Sequence, residues 1–217
     1  MIESSKDYDY CLEKIGHYKK YPKMLPWVGN DYKKSKSKIL LIAESHYLQK
    51  GETYHHDADE WYKGISLAGK TIGGITTREV IEKYVNKVKR RAYRIFINIG
   101  EALIASCLPT SSKDRYTVYE NMAFMNFFQR PAEKNGKSIN VKSIDITIAN
   151  EVSKEVVKCI EPDIVIFTSV KAYKNAKDFR KFLDGEKIPY EKTPHPATSH
   201  WSKTGKGVFI AFICKHV

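Results

Sequence analysis

The chain has 217 residues, and 37 Lys or Arg against 25 Asp or Glu give it a formal net charge of +12 at neutral pH. This excess favours polyanionic partners such as DNA, RNA, nucleotides or an anionic membrane surface, although a lysine-rich surface without any partner would have the same composition. The hydrophobic fraction of 42% is ordinary for a globular protein. No apolar run approaches about 20 residues, which excludes a membrane-spanning helix, and the first residues lack the apolar stretch of a signal peptide.

The four cysteines lie far apart in the sequence, at Cys11, Cys107, Cys159 and Cys214. None of them forms a Cys-x-x-Cys pair, so a zinc ribbon is disfavoured. The simplest interpretation is a set of reduced thiols in a cytoplasmic protein.

The first half of the chain contains one strong strand signal. Residues 8–18 carry apolar side chains at helical spacing and predict an N-terminal helix. The basic segment 33–38 then leads into residues 39–42, four aliphatic residues that predict a strand buried on both faces, as in a parallel sheet. Ligands of open α/β sheets bind beyond the carboxyl ends of the strands. We therefore expect any chemical site to begin at the polar residues 44–47.

The segment that follows is long, polar and aromatic. Residues 48–75 show no regular pattern, and loops of this length are commonly functional, so they predict a site-forming loop. Thr76 and Glu79 then form a capping box ahead of the apolar stripe of a helix that reaches residue 88. Residues 93–108 predict a second helix.

The second half of the chain alternates between strand and helix patterns. Strands are predicted at residues 119–131, 164–168, 188–193 and 208–214, and helices from an N-cap at Asn150 and over residues 170–183. This alternation predicts one domain, residues 1–217, with a helical and basic lead-in over residues 1–37. Its fold class is a three-layer α/β/α sandwich with a mainly parallel central sheet.

Polar residues stand at the predicted ends of four strands. They are Glu44 with its neighbours to Tyr47, Asn126 with Arg130, Ser169, and His195. Because parallel strands share one direction, these side chains are expected to open on the same edge of the sheet.

This ordered set of motifs resembles the uracil-DNA glycosylase superfamily. Residues 42–47 stand where the family has Gly-Gln-Asp-Pro-Tyr-His, Gly-Met-Asn-Pro-Gly or Gly-Glu-Ala-Pro-Gly. Residues 126–131 are similar to the Asn-Val-Val-Lys-Cys-Arg-Pro stretch of the thermophile-type branch, one residue shorter. Residues 162–166 look like the family's third strand, and residues 195–197 look like its His-Pro-Ser motif. The resemblance covers residues 38–201 in the order of the family.

The resemblance implies that the protein recognises a flipped or damaged base in DNA and hydrolyses its N-glycosidic bond. His195 would donate a hydrogen bond to the departing base, and Glu44 would stabilise the sugar cation or orient water. The base-binding residues that it implies are Ser45, Tyr47, Trp61, Tyr62 and Asn126. The implied contacts with the nucleic-acid backbone are Arg130, Ser169, Trp201, Lys203 and Lys206.

Several features depart from the family pattern. Ser45 occupies the position of the aspartate of the most active branch, and His46 replaces the proline of the motif. The cysteine cluster that would hold an iron–sulfur centre is absent, so we expect no cofactor and no metal. The expected protein is a cytoplasmic monomer that binds DNA and no membrane.

The sequence is also compatible with two alternative functions. One is a non-catalytic protein of the same fold that binds nucleic acid or a nucleotide through the same pocket. The other is a metal-dependent hydrolase whose ligands would come from Asp57 and five histidines, His46, His55, His56, His195 and His200.

Overall fold

The computed structural model describes residues 1–87, 94–108, 114–134 and 136–217, which form a mixed α/β fold around a five-stranded sheet. The strands are β1 (Trp27–Val28), β2 (Ile39–Tyr47), β3 (Met122–Ala132), β4 (Ile164–Phe167) and β5 (Tyr190–Lys192). The helices are α1 (Asp9–Leu12), α2 (Gly16–Lys20), α3 (Ala58–Lys63), α4 (Thr77–Val85), α5 (Arg94–Ile104), α6 (Ser143–Ile160), α7 (Val170–Asn175), α8 (Lys177–Gly185) and α9 (Lys206–His216). Short 3₁₀ turns span Pro22–Met24, Tyr32–Lys34 and Thr117–Asn121, and a π-helical turn spans Trp201–Gly205.

The sheet is mainly parallel, as the alternation of patterns predicts. Its strand order is β1-β3-β2-β4-β5, in which β2, β3, β4 and β5 run parallel and the short β1 pairs antiparallel with β3. The chain goes from β2 to β3 on one side and then crosses to β4 on the other side. The carboxyl end of β2 is therefore a topological switch point, where open α/β sheets bind ligands.

The central strand β2 is buried on both faces, which confirms the prediction from its aliphatic run. Leu40 and Ile42 belong to one hydrophobic cluster, whereas Ile39, Leu41 and Ala43 belong to a second one. Successive side chains of a strand point to opposite faces, so this strand contributes to both clusters.

The strand predicted at residues 208–214 is wrong, because these residues lie in helix α9. Phe209 and Ile213, four residues apart, are the buried side chains of this helix, while Val208 is exposed. A short apolar run does not distinguish a strand from a helix with one buried stripe.

Several predicted boundaries also differ. The N-terminal helix is two short helices, and α6 begins at Ser143 rather than at Asn150. The Asn150 side chain instead accepts the backbone N–H of Phe179. Helix α4 begins where predicted, but the capping box is wrong, because the hydroxyl of Thr76 donates to the carbonyl of Gly73. Residues 88 and 93, predicted ends of two helices, lie outside the described residues.

The structure joins the four cysteines into two disulfides, Cys11 with Cys159 and Cys107 with Cys214. The prediction of reduced thiols is therefore wrong for this structure. The pairs are 148 and 107 residues apart in sequence, so no local spacing could reveal them. They tie α1 to the end of α6, and the segment after α5 to α9.

Among the described residues, no helix combines the length and the apolar character that crossing a membrane requires.

Candidate functional site

The carboxylate of Glu44 lies at the carboxyl end of β2 and is held by two hydroxyl groups. Ser138 Oγ donates to Glu44 Oε1 at 2.6 Å, and Ser169 Oγ donates to Oε2 at 3.0 Å. Ser169 is the N-cap of α7, and its Oγ also accepts the backbone N–H of Ala172. Both carboxylate oxygens are thus fixed in direction, while Glu44 itself is only half-buried.

His195 follows β5 and faces the same region. The backbone N–H of Ala197 donates to His195 Nδ1 at 3.1 Å, so the neutral ring carries its proton on Nε2. Burial lowers the pKa of His195, and the charge of nearby Glu44 acts in the opposite direction. The side chain of Asn98 in α5 donates to the carbonyl of Pro196 and fixes this loop. His195 is therefore placed as a neutral N–H donor near a carboxylate.

Asn126 lies on β3 beside β2, where it pairs with Ala43. Its amide Nδ2 is 3.3 Å from both ring nitrogens of His46. Gln129 Nε2 donates to the backbone carbonyl of Asn126 at 2.6 Å. The Asn126 side chain therefore contacts the ring of His46, and Asn126 lies inside β3, which continues to Ala132.

His46 is a buried ring at the irregular end of β2. The register between β2 and β3 shifts between Ser45 and Tyr47, which includes this residue. Burial lowers the pKa of His46 to about 4, and a hydrogen bond with the backbone of Gly74 opposes this effect. Gly74 has to be a glycine, because a Cβ there would lie 1.6 Å from the carbonyl oxygen of Tyr47.

Ser45 and Tyr47 differ in how accessible they are. Ser45 is buried, and its Oγ has no hydrogen-bond partner among the described residues. Tyr47 is half-buried, and burial together with the negative charge of Glu44 raises the pKa of its phenol. Tyr47 thus lies near Glu44 and is the aromatic ring that the site retains.

The other two predicted stacking rings are wrong, because both lie in the core. Trp61 is fully buried, stacks on Tyr21 with ring centroids 4.2 Å apart, and donates its Nε1–H to the carbonyl of Gln129. Tyr62 is also buried and donates its hydroxyl to Asp145 at 2.9 Å. Neither ring has a free face for a base in this structure.

The Arg130 side chain is not accessible to a phosphate, because it is 0% exposed. Its Nε and Nη2 donate to the two oxygens of Asp145 at 2.9 and 2.8 Å. Its Nη1 donates to Glu133 and to the carbonyl of His55. The prediction of a backbone contact is therefore wrong, and Arg130 instead ties the end of β3 to α6 and to the long loop.

Of the four other side chains predicted to contact the nucleic-acid backbone, two are buried and two are accessible. Trp201 is buried against Phe209, with ring centroids 5.6 Å apart, and is not available to press on a duplex. Ser169 is buried and bonded to Glu44, so it positions that carboxylate rather than contacting nucleic acid. Lys203 is exposed and Lys206 is partly exposed. Neither lysine has an ion-pair partner in the part of the chain that the structure describes, which leaves both available to a polyanion.

Sequence reasoning missed Ser138. It lies in the loop after β3, and its hydrogen bond to Glu44 spans 94 residues of sequence. No local pattern marks a serine for such a contact.

No cluster of three His, Cys, Asp or Glu side chains that could hold a metal ion occurs in the described ranges. His55 and His56, two of the histidines considered for such a site, bond instead to the backbone carbonyls of Ala132 and Glu133. The metal-dependent alternative thus has no geometric support in these ranges.

Neither a protein-family model nor a curated protein matches this chain.

Proposed function

We propose that this protein is a uracil-DNA glycosylase-like protein with a three-layer α/β/α sandwich. It binds a base that has left the DNA stack and hydrolyses the bond between that base and its sugar. One observation carries the proposal. The Glu44 carboxylate is fixed by Ser138 and Ser169 and lies within electrostatic range of His195. The backbone N–H of Ala197 bonds to Nδ1 of His195, so the Nε2–H of that ring is not used by this contact.

In the proposed reaction, the carbon–nitrogen bond breaks and its electron pair leaves with the base. His195 Nε2–H donates a hydrogen bond to the base oxygen on which negative charge develops. The sugar becomes cationic, and the Glu44 carboxylate stabilises that charge and orients a water molecule. The water oxygen bonds to the sugar carbon, and its proton passes to the carboxylate. The net charge of +12 supports attraction to the DNA backbone.

A base-release assay tests this function. Purified protein is incubated with a single- or double-stranded oligonucleotide that contains uracil, and alkali then reveals strand breaks at abasic sites. The rate is expected to fall about 100- to 1,000-fold in Glu44→Gln and in His195→Ala, because each variant removes one transition-state interaction.

His200→Ala and Glu155→Gln are matched controls, because both side chains are exposed and neither belongs to the site. Both are expected to retain the wild-type rate. If the wild-type protein binds the oligonucleotide and releases no base at micromolar concentration, the excision claim fails. The non-catalytic binding protein would then be the better description.

A further inference from the structure

Two cationic side chains share one aromatic ring at the edge of the sheet. Tyr173 lies in α7, Arg180 in α8 and Lys192 in β5. The guanidinium carbon of Arg180 is 4.2 Å from the centroid of the Tyr173 ring, and Lys192 Nζ is 4.6 Å from it. The ring attracts each cation, but two positive charges beside one ring also repel each other. These three side chains form the β5 cluster.

The charges of the β5 cluster have no carboxylate partner. Neither Arg180 nor Lys192 forms an ion pair in the ranges that the structure describes, and the Arg180 guanidinium donates no hydrogen bond there. The acidic Asp184 hydrogen-bonds instead with the side chain of Tyr190. Glu191 Oε1 accepts the backbone N–H of Lys192 at 2.8 Å, not its ammonium group. An anion from outside the chain would therefore neutralise both cations.

A second ring with the same two cation types shows the difference. Lys87 Nζ and the guanidinium carbon of Arg115 lie 4.9 and 5.2 Å from the ring centroid of Tyr116. There, Lys87 pairs with Asp114 at 3.8 Å. Arg115 pairs with Glu101 at 3.1 Å. The chain thus supplies carboxylates for the cations at this ring and supplies none for those of the β5 cluster.

The β5 cluster adjoins the candidate site along the chain. The backbone N–H of Tyr173 donates to the carbonyl of Ser169 one helical turn earlier, and Ser169 Oγ bonds to Glu44. Lys192 ends β5 and precedes His195 by three residues. An anion held by the cluster would therefore lie beside the residues of the proposed reaction.

We propose that the β5 cluster binds a phosphodiester group of the DNA strand whose base enters the site. The partly exposed guanidinium of Arg180 can donate two parallel N–H bonds to the two free oxygens of a phosphodiester. The exposed Lys192 adds a second donor and a point charge. Such a contact sets the register of the strand and carries no sequence information. This inference rests on the proposed function and assigns its backbone contact.

The salt dependence of binding tests this contact. In the double variant Arg180→Gln/Lys192→Gln, the slope of log K against log salt for a labelled duplex is expected to become shallower by about 1. The matched control is Lys87→Gln/Arg115→Gln, which removes the same two charges where carboxylates already neutralise them. The control is expected to keep the wild-type slope, and an equal change in both double variants would overturn the proposal. If the first double variant does not fold, the exposed Lys192→Gln alone is compared with Lys87→Gln.

The outcomes distinguish this inference from the function on which it rests. Wild-type protein that binds no duplex would overturn both. Uracil release by the wild type, with an unchanged slope in the folded Arg180→Gln/Lys192→Gln variant, would overturn the role of the β5 cluster alone. A shallower slope in that variant without base release by the wild type would support the phosphodiester contact and overturn the excision.

Nuclear magnetic resonance separates a direct contact from a distant effect of charge. The Nε–H resonance of Arg180 is expected to shift when the duplex is added, and that of Arg115 is expected to stay. An unchanged Arg180 resonance in the presence of bound duplex would contradict the contact. An equal shift with inorganic phosphate at the same ionic strength would indicate a site for free phosphate and would overturn the assignment to the DNA backbone.

Discussion

Replacing Asp145 by alanine is expected to lower the free energy of unfolding by about 3–5 kcal/mol, the usual cost of leaving one member of a buried ion pair without its partner. Asp145 and Arg130 are both 0% exposed, and Arg130 donates to both oxygens of the carboxylate. Asp145 also accepts the hydroxyl of Tyr62 and the backbone N–H of Lys142. The substitution therefore removes the two-point contact of a buried guanidinium, which keeps only Glu133 as a charged partner, and it leaves two further donors without this acceptor.

Urea unfolding at pH 7 measures this effect. Glu60→Ala is a suitable control, because its ion pair with Lys63 is exposed and such pairs contribute about 0–1 kcal/mol. If Asp145→Ala were as stable as the control, the Arg130 network would not anchor the end of β3 as described.

Acidification from pH 7 to pH 4 is expected to lower the free energy of unfolding by about 3 kcal/mol for each of two buried histidines. Burial lowers the pKa of His17 to about 3 and that of His46 to about 4, and the nearby His46 ring lowers the pKa of His17 further. Lys20 adds to the effect at His17, and the Gly74 backbone opposes it at His46.

The sign follows from where the protons bind. Both histidines have a lower pKa in the folded chain than the ordinary 6.5, so the unfolded chain binds more protons once the pH drops below 6.5. Their contribution to stability is fully present above pH 6.5 and is lost as the pH falls toward their pKa values in the folded chain.

The variant His17→Phe isolates the contribution of His17 to this pH dependence. The Nε2 of His17 is buried without a hydrogen-bond partner among the described residues, so phenylalanine removes the titration without removing a bond of that atom. Between pH 7 and pH 4, the free energy of unfolding of the variant is expected to fall by about 3 kcal/mol less than that of the wild type. An identical loss in both proteins would show that His17 is not held neutral.

Much of the fold could be predicted from local patterns. The aliphatic runs of β2 and β4 are buried on both faces, and the alternation of strands and helices predicts their parallel pairing. Helix α9 was predicted as a strand because its apolar residues are continuous, although only Phe209 and Ile213 are buried. The disulfides could not be predicted, because both join residues more than 100 positions apart.

The candidate site could be predicted only in part. The proximity of Glu44 and His195 follows from the ends of parallel strands, whereas Asn126, predicted at a strand end, lies inside β3. The sequence does not tell how deeply a large side chain is buried. Trp61 and Arg130, which resemble a stacking ring and a phosphate contact, instead satisfy buried polar groups. Ser138 depends on the path of a loop, which no local spacing encodes.

The most direct measurement of the central claim is the fluorescence of 2-aminopurine placed beside uracil in a DNA duplex, because this probe brightens when its neighbour leaves the stack. If the strand-end site takes a flipped base, wild-type protein at low salt is expected to bind the duplex and raise the fluorescence. Asn126→Ala is expected to bind with a much smaller rise, since the phosphate contacts remain while the base contact is lost. Binding of the wild type without any rise, or no binding at micromolar protein, would contradict the account.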